Sequence, residues 1–284
     1  MITKLRLNIH LYQKVISKIT NSTILITGAA SGIGRLLAIE CAKKQASQII
    51  ILDINESGSR SVIEEIKLLG TNALFFQVDL SSLESIKKVF LEIKNAIEKV
   101  DILINNAGIV VGKLFQDHSD EEIIKTININ LNAAMFLTKM ILPRMLQMGK
   151  GHIVNVASSA GMAAFPKLSV YASSKWGMIG WSESLRLELE ANSSNIKVTT
   201  VTPYLIDTGM FNGVQSTIIP LLKPERVAKD IIRSIERNKI FSRMPWLVYA
   251  IPLFKGILPQ RTFDFIIGKL FGVYKSMDTF KGRQ

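Results

Sequence analysis

Short, uninterrupted apolar runs alternate with helical patterns along most of the chain, and this rhythm limits its architecture more than any other feature. The runs fall at 24–26, 48–53, 73–79, 101–105, 151–157 and 196–202. Helical spacing fills the gaps, from a glycine-rich turn through Lys43, then near 57–69, 83–99, 120–147 and 171–192. A strand that is apolar on both sides needs cover on both faces, and intervening helices supply it. The expected class is α/β: a single doubly wound parallel sheet with helices on both faces, followed by an apolar C-terminal extension. No internal repeat, low-complexity tract or Gly/Ser linker interrupts the 284 residues, and 48% hydrophobic content allows a substantial core.

After Pro203 the alternation is expected to stop. Residues 204–224 read as irregular and apolar, and helical spacing resumes near 225–238. The stretch 244–254 then holds eleven residues with two prolines and no charge, and 263–274 is again apolar. Neither is long enough for a confident spanning helix, so an interfacial or re-entrant segment is expected. At the other end, Ile2, Leu5, Ile9, Tyr12, Ile16 and Ile19 form one helical stripe opposite Arg6, Gln13 and Ser17. It lacks the run of a spanning helix and the small-residue site of a cleaved leader. Packing on the domain and lying on a bilayer both fit that pattern. Three regions result: a basic amphipathic helix over 1–20, a single domain over 21–240, and an apolar, basic extension over 241–284.

The net charge of +12 sits in the flanks. Residues 1–20 carry four Lys/Arg and no acid, residues 221–284 carry 13 Lys/Arg against 5 Asp/Glu, and the middle holds 18 of each. Basic residues mixed with aliphatic runs suit an anionic membrane surface better than nucleic acid. Cys41 is the only cysteine, so no intramolecular disulfide can form. His10, His118 and His152 are scattered and give no metal-ligand spacing.

Two local patterns carry chemistry. The turn Thr27-Gly-Ala-Ala-Ser-Gly-Ile-Gly34 follows the first run and opens a helix. Glycines there let backbone approach a pyrophosphate, and the helix N-terminus favours negative charge. It is not a nucleoside-triphosphate loop, because Lys-Ser/Thr is missing. Asp53 ends the second run, about 20 residues on, where a carboxylate can take ribose hydroxyls and repel a 2′-phosphate. NAD is therefore expected over NADP, with Arg35, Lys43 and Lys44 close enough to soften the preference. The second pattern is Tyr171-Ala-Ser-Ser-Lys175, with Ser158 upstream. Residues at i and i+4 share a helix face. An ammonium so placed is expected to lower a phenol pKa from its usual ~10 and let the tyrosine exchange protons near neutrality.

The glycine turn, Asn105-Asn-Ala-Gly108, Ser158 and Tyr171-x-x-x-Lys175, in this order and spacing, resemble the short-chain dehydrogenase/reductase family over about residues 22–210. The resemblance implies a Rossmann-type domain and hydride transfer to or from a nicotinamide. It implies that Tyr171 is the general acid/base, that Lys175 tunes it and holds the nicotinamide ribose, and that Ser158 holds the substrate oxygen. Asn130 would hold a water in the proton relay. Gly28, Ser31, Gly32, Ile33 and Gly34, with Asp53, Asp79, Leu80, Asn106, Ala107, Gly108, Pro203 and Thr208, would line the cofactor site, Asp79 against adenine. One departure stands out: Tyr204 follows Pro203 where the family usually has glycine, and is expected to narrow the nicotinamide end of the cleft.

Leu52-Asp-Ile-Asn55, Pro203-Tyr-Leu-Ile-Asp-Thr-Gly-Met-Phe211 and Met277-Asp-Thr-Phe-Lys-Gly-Arg283 resemble the membrane-associated retinol and hydroxysteroid dehydrogenase branch. That implies a lipophilic alcohol or ketone (retinoid, steroid or long-chain), with Ser158, Tyr204, Met210 and Phe211 against it. It also implies a homodimer through helices near 120–147 and 171–192, and a membrane-associated enzyme facing the cytosol, at endoplasmic reticulum or lipid droplet if the cell is eukaryotic, otherwise a cytoplasmic one. The competing expectation is a lipid-surface protein that keeps the fold and dinucleotide binding without turnover. An epimerase or dehydratase sharing Tyr-x-x-x-Lys would need a larger sugar-binding region.

Overall fold

In the computed structural model, which describes residues 17–216, 219–270 and 272–282, each of the six apolar runs is a strand. They are β1 (Thr23–Thr27), β2 (Gln48–Asp53), β3 (Asn72–Gln77), β4 (Ile102–Asn105), β5 (Gly151–Val156) and β6 (Ile196–Pro203). A seventh, β7 (Phe241–Met244), completes a parallel sheet of order β3-β2-β1-β4-β5-β6-β7. The connecting helices are α1 (Gly32–Lys43), α2 (Glu56–Leu68), α3 (Leu83–Ala96), α4 (Asp120–Ile127), α5 (Ala133–Met148), α6 (Ser169–Ala191) and α7 (Pro224–Glu236).

Strand residues alternate between two cores with a period of two. Ile24, Ile26, Ile49, Ile51, Ile102, Ile104 and Val154 face α1, α2 and α7, where Leu37, Val62 and Ile231 meet them. Leu25, Ile50, Leu52, Leu103 and Ile153 face α3, α5 and α6, against Ile86, Leu137 and Leu185. Both faces are dry, which is why the runs carry no polar alternation. The exception is a polar thread through the second face. Asn105 donates to Asn155 Oδ1 (2.8 Å) and Thr138 (3.2 Å), Asn155 donates to Ser182 (2.8 Å), and Ser182 donates to the Met178 carbonyl (2.6 Å). Both buried amide nitrogens find acceptors, whereas Asn105 Oδ1 is buried without a hydrogen-bond partner.

Two expectations need correction. The alternation does not stop at Pro203: α7 and β7 add a further unit, with β7 registered against β6 from Thr200↔Phe241 to Pro203↔Met244. Phe-Ser-Arg-Met is a short edge strand with only two apolar residues, so it leaves little pattern to read. The boundary expected after residue 240 thus falls just before a strand of the main sheet. Second, the single helix expected over 120–147 is two helices joined by a π-turn at Asn128–Asn132. Such turns often mark functional positions, and this one carries Asn130.

The C-terminal extension packs back on the domain. It forms α8 (Ala250–Ile257) and α9 (Gln260–Asp264). Lys255 of α8 stands 3.9 Å from the Trp176 ring centre on α6, a cation–π contact. Further on, Gln215 N donates to Ser276 O (3.1 Å) and Lys281 N to Asn212 O (2.9 Å), so the tail straps the loop after β6. Gly213 permits the approach, because a Cβ there would lie 2.2 Å from Thr279 O. Among the described residues no helix is long and apolar enough to cross a membrane. The amphipathic helix expected over 1–20 lies outside the described residues except for 17–20.

His152 is fully buried on β5, between Ser17 (2.9 Å from Nδ1) and Thr199 (2.8 Å from Nε2). Thr199 donates to the Lys239 carbonyl (2.6 Å), so Nε2 must be the donor in its own bond. Burial first, and Lys197 second, push its pKa down to about 3. The unfolded chain takes up this proton near pH ~6.5 while the folded chain refuses it. Stability should therefore fall as pH drops from ~6.5 towards 3, with this group adding about 1.4 kcal/mol per pH unit. Urea unfolding of His152→Gln should show a shallower pH slope over that window. An identical slope refutes the assignment.

Candidate active site

The strand order reverses between β1 and β4, and a crevice opens at the carboxyl ends of the strands there, as such sheets require. Its floor is held by Thr27. The Thr27 hydroxyl accepts from the backbone N–H of Asn106 and of Ala107 (both 3.0 Å), and Asn106 Nδ2 donates to the carbonyls of Thr27 (3.0 Å) and Gly28 (3.1 Å). The glycine turn is built by the same contacts. Gly28 and Gly32 have φ of +68° and +57°, and a Cβ on Gly34 would lie 2.1 Å from the Gly28 carbonyl oxygen. Only glycine fits that backbone-to-backbone approach. α1 starts at Gly32 with no side-chain cap and no acid in its first turn, so its N–H groups face the crevice unneutralised.

The crevice, about 380 Å³, runs from this cradle to Ser158, Tyr171 and Lys175. Gly28, Ser31, Gly32, Ile33, Gly34, Asp53, Asp79, Leu80, Asn106, Ala107, Gly108, Pro203 and Thr208 line it, as do Ser158, Tyr171, Lys175, Tyr204, Met210 and Phe211. Asn130 alone among the expected site residues does not. It lies fully buried behind the wall, where Oδ1 accepts from Ile109 N (2.8 Å) and Nδ2 donates to Ile109 O (2.9 Å) and Ser174 (3.1 Å). It still stands near Lys175: a Cβ on Gly108 would meet Asn130 Oδ1 at 3.3 Å and Lys175 Nζ at 3.5 Å.

At the end of the crevice beside the glycine turn, Asp53 Oδ2 accepts from Ala30 N (2.9 Å) and Oδ1 from Asn55 N (3.0 Å), bracing that turn. The cations expected to blunt its effect are tied elsewhere: Arg35 to Glu65 (2.6 Å), Lys43 to Glu40 (3.0 Å) and Lys44 to Glu236 (2.8 Å). Asp79 holds its carboxyl below the usual range through hydrogen bonds from Ser81, with Lys125 adding a smaller pull.

At the other end, Ser158 caps a short 3-10 turn, its Oγ accepting from Ala160 N (3.1 Å). Tyr171 and Lys175 share the buried face of α6, with Nζ 5.7 Å from the phenol ring centre and donating to the Val156 carbonyl (2.9 Å). Here the expected charge balance is reversed. Burial pushes the Tyr171 phenol up to about 12, and the Ser158 hydroxyl beside it recovers only part of the shift. Burial also pushes Lys175 down to about 8. Desolvation, which a pairwise spacing cannot express, is the largest cause of both shifts.

Tyr204 lines the crevice as expected, but its hydroxyl points to Ser216, at 3.1 Å. Sequence reasoning missed other lining residues, among them Ile54, Asn55, Lys125, Ile129 and Ile206. Asn55 carried a signal, since it caps α2 two residues after Asp53. The aliphatic members carried none.

A family model described as short chain dehydrogenase matches residues 22–218. The chain is 35% identical to epidermal retinol dehydrogenase 2 of Homo sapiens over 267 residues, 92% of this chain and 86% of the relative. A short chain dehydrogenase/reductase from Burkholderia phymatum, solved in complex with NAD, superposes with a TM-score of 0.76 at 21% identity, covering 84% of this chain and 94% of that one. A short-chain dehydrogenase from Sphingobium yanoikuyae, solved in complex with NADPH, gives a TM-score of 0.73 at 25% identity, covering 84% and 97%. The chain belongs to the short-chain dehydrogenase/reductase family. The enzyme class expected from its motifs, a nicotinamide-dependent dehydrogenase or reductase acting on CH–OH groups, stands with that membership.

Proposed function

We propose that the chain interconverts a lipophilic alcohol and its ketone or aldehyde (retinoid, steroid or long-chain), with NAD as its preferred cofactor and NADP second. The observation that carries this reading is the convergence of Ser158, Tyr171 and Lys175 on one end of a crevice whose other end is an uncapped glycine cradle. The cradle fits a dinucleotide: α1 offers free N–H groups to a pyrophosphate, and Asp53 keeps lone pairs for ribose hydroxyls. A bound nicotinamide supplies hydride transfer.

The residues of this chain handle the proton. In reduction, the Tyr171 phenol keeps its proton until the substrate oxygen gains charge, and then donates it. In oxidation the phenol first gives its proton to the relay at Lys175, and the resulting phenolate then takes the hydroxyl proton. Ser158 donates to the same oxygen and holds it as charge develops. Lys175 has three donors, of which Val156 takes one, leaving two for a ribose and for the relay that Asn130 borders. Burial of all three groups excludes water and raises the worth of each hydrogen bond. Met210 and Phe211 supply apolar surface beside them, Phe211 standing edge-on to Tyr171 with ring centres 6.0 Å apart. The competing reading, a lipid-surface protein without turnover, has no residue of this constellation missing to favour it.

The substrate class and the surface of the extension support attachment to a lipid surface. Trp246 (74% exposed), Ile257 (70%) and Leu253 (60%) project from a segment that also bears Arg243, Lys255, Arg261 and Lys269. Apolar side chains amid cations suit an interface rich in anionic headgroups. A cytosol-facing membrane or lipid-droplet surface fits that chemistry.

Three outcomes test the reading. Tyr171→Phe should lower kcat by about a hundredfold to ten-thousandfold while the variant still enhances NADH fluorescence on binding; unchanged turnover with retinol, steroid and long-chain alcohols eliminates the mechanism. Asp53→Asn should cut the NAD/NADP ratio of kcat/KM about tenfold or more, because the carboxylate no longer repels a 2′-phosphate; a constant ratio removes Asp53 from cofactor choice. For attachment, Trp246→Glu with Ile257→Glu should lose flotation with phosphatidylserine vesicles. Truncation is the poorer test, since removal of 241–284 also removes β7. Vesicle binding that survives both charges shows that this segment is not the anchor.

A further inference from the structure

A second cavity of about 340 Å³ adjoins the crevice, within the size range of small-molecule sites. Its walls come from three places: the turn after β5 (Ala163, Phe165), the loop after β6 (Ile219) and the C-terminal extension (Val248, Ile251, Phe263). Tyr204 lines both spaces, and of two neighbouring serines Ser158 lines the crevice and Ser159 the cavity. The two spaces therefore meet within a residue of the catalytic trio.

The polar groups on the shared wall are already satisfied. The Tyr204 hydroxyl and Ser216 Oγ share a hydrogen bond of 3.1 Å, and Ser216 also donates to the Ile219 carbonyl. Nearly everything else described around the cavity is aliphatic or aromatic. A sugar or phosphate would lose its hydration there and find few partners. An alkyl or polyene chain would lose nothing. Leu247 and Phe254 line the cavity and are also exposed at the surface, so the apolar lining continues outward onto the extension.

We infer that this cavity seats the apolar tail of the substrate while its oxygen lies at Ser158 and Tyr171, and that the Tyr204 ring is the partition that separates tail from reacting carbon. The inference rests on the proposed oxidoreductase reading for the reacting end, but tail binding is measurable without turnover. The side chain that replaces the family's usual glycine thus gains a purpose. With its hydroxyl anchored to Ser216, the ring is held as a wall.

The experiment fills the cavity from two sides in the full-length protein, with Ala163→Phe and Ile251→Trp. Each methylene seated in such a cavity raises kcat/KM by up to about fourfold. The ratio of kcat/KM for dodecanol over butanol should therefore fall about tenfold or more in the filled variants, and the Kd for cis-parinaric acid, a fluorescent polyene chain, should rise by a similar factor. Tyr204→Ala should raise kcat/KM for a ringed alcohol relative to a linear one about tenfold. Filled variants that melt cooperatively yet keep both the chain-length ratio and the probe affinity overturn the tail site. An unchanged ring-to-linear ratio in Tyr204→Ala overturns the partition. If the wild type turns over no alcohol but filling still abolishes probe binding, the cavity stands and the oxidoreductase reading falls.

Discussion

Thr27 is where the two halves of the sheet are tied. Its hydroxyl takes two backbone N–H groups from the end of β4, and the Asn106 amide returns two hydrogen bonds to the end of β1. Without that knot the crevice at the strand reversal would have no fixed floor. The glycine turn is pressed against it: a Cβ on Gly28 would lie 2.8 Å from Ala107 Cα, and Gly34 packs on the Gly28 carbonyl. The cradle is thus a product of close backbone packing between the turn at 27–34 and the end of β4, two segments distant in sequence. Asp53 adds a third by holding Ala30 N from the end of β2. Buried backbone polar groups must be paired, and here the pairing itself shapes the binding surface.

Behind the other end of the crevice, burial does the electrostatic work. Tyr171 and Lys175 lie on the inner face of α6, and both are moved towards their neutral forms. The π-turn at Asn128–Asn132 serves the same region. By breaking the register between α4 and α5 it turns Asn130 inward, onto Ile109 and Ser174, beside Lys175.

Much of this could be read from residue order, and the reasons differ from element to element. The six strands were visible because both sheet faces are dry, which leaves continuous apolar runs. The glycine turn was visible because positive φ and backbone contact restrict the residue choice there. β7 was not, because Phe241-Ser-Arg-Met244 lies at an edge and shows only a brief alternation. The Tyr171 pKa direction is not legible in the sequence, because the i, i+4 spacing is local whereas burial, the largest cause of the shift, depends on how the rest of the chain covers the crevice. The tail that straps the loop after β6 was also invisible. Its bonds run through backbone atoms of Asn212, Gln215, Ser276 and Lys281, which no side-chain pattern encodes.

That strap links the charge pattern to the end of the crevice that holds Tyr171. The basic, apolar extension reads as an appendage, separable from a neutral domain. In the folded chain it contributes an edge strand, a cation–π contact to α6 and a clamp on the loop that carries Met210 and Phe211. Lys167, in the turn that follows Ser158, meets Asp278 of the tail at 3.1 Å. A surface ion pair of this kind contributes only ~1 kcal/mol or less, so the backbone bonds and the packing of Phe280 and Met277 near Gly112 must hold the tail. The extension and the loop beside Tyr171 are therefore one packed unit. One segment thus supplies both the exposed apolar and basic surface of the extension and part of the wall around the loop that carries Met210 and Phe211.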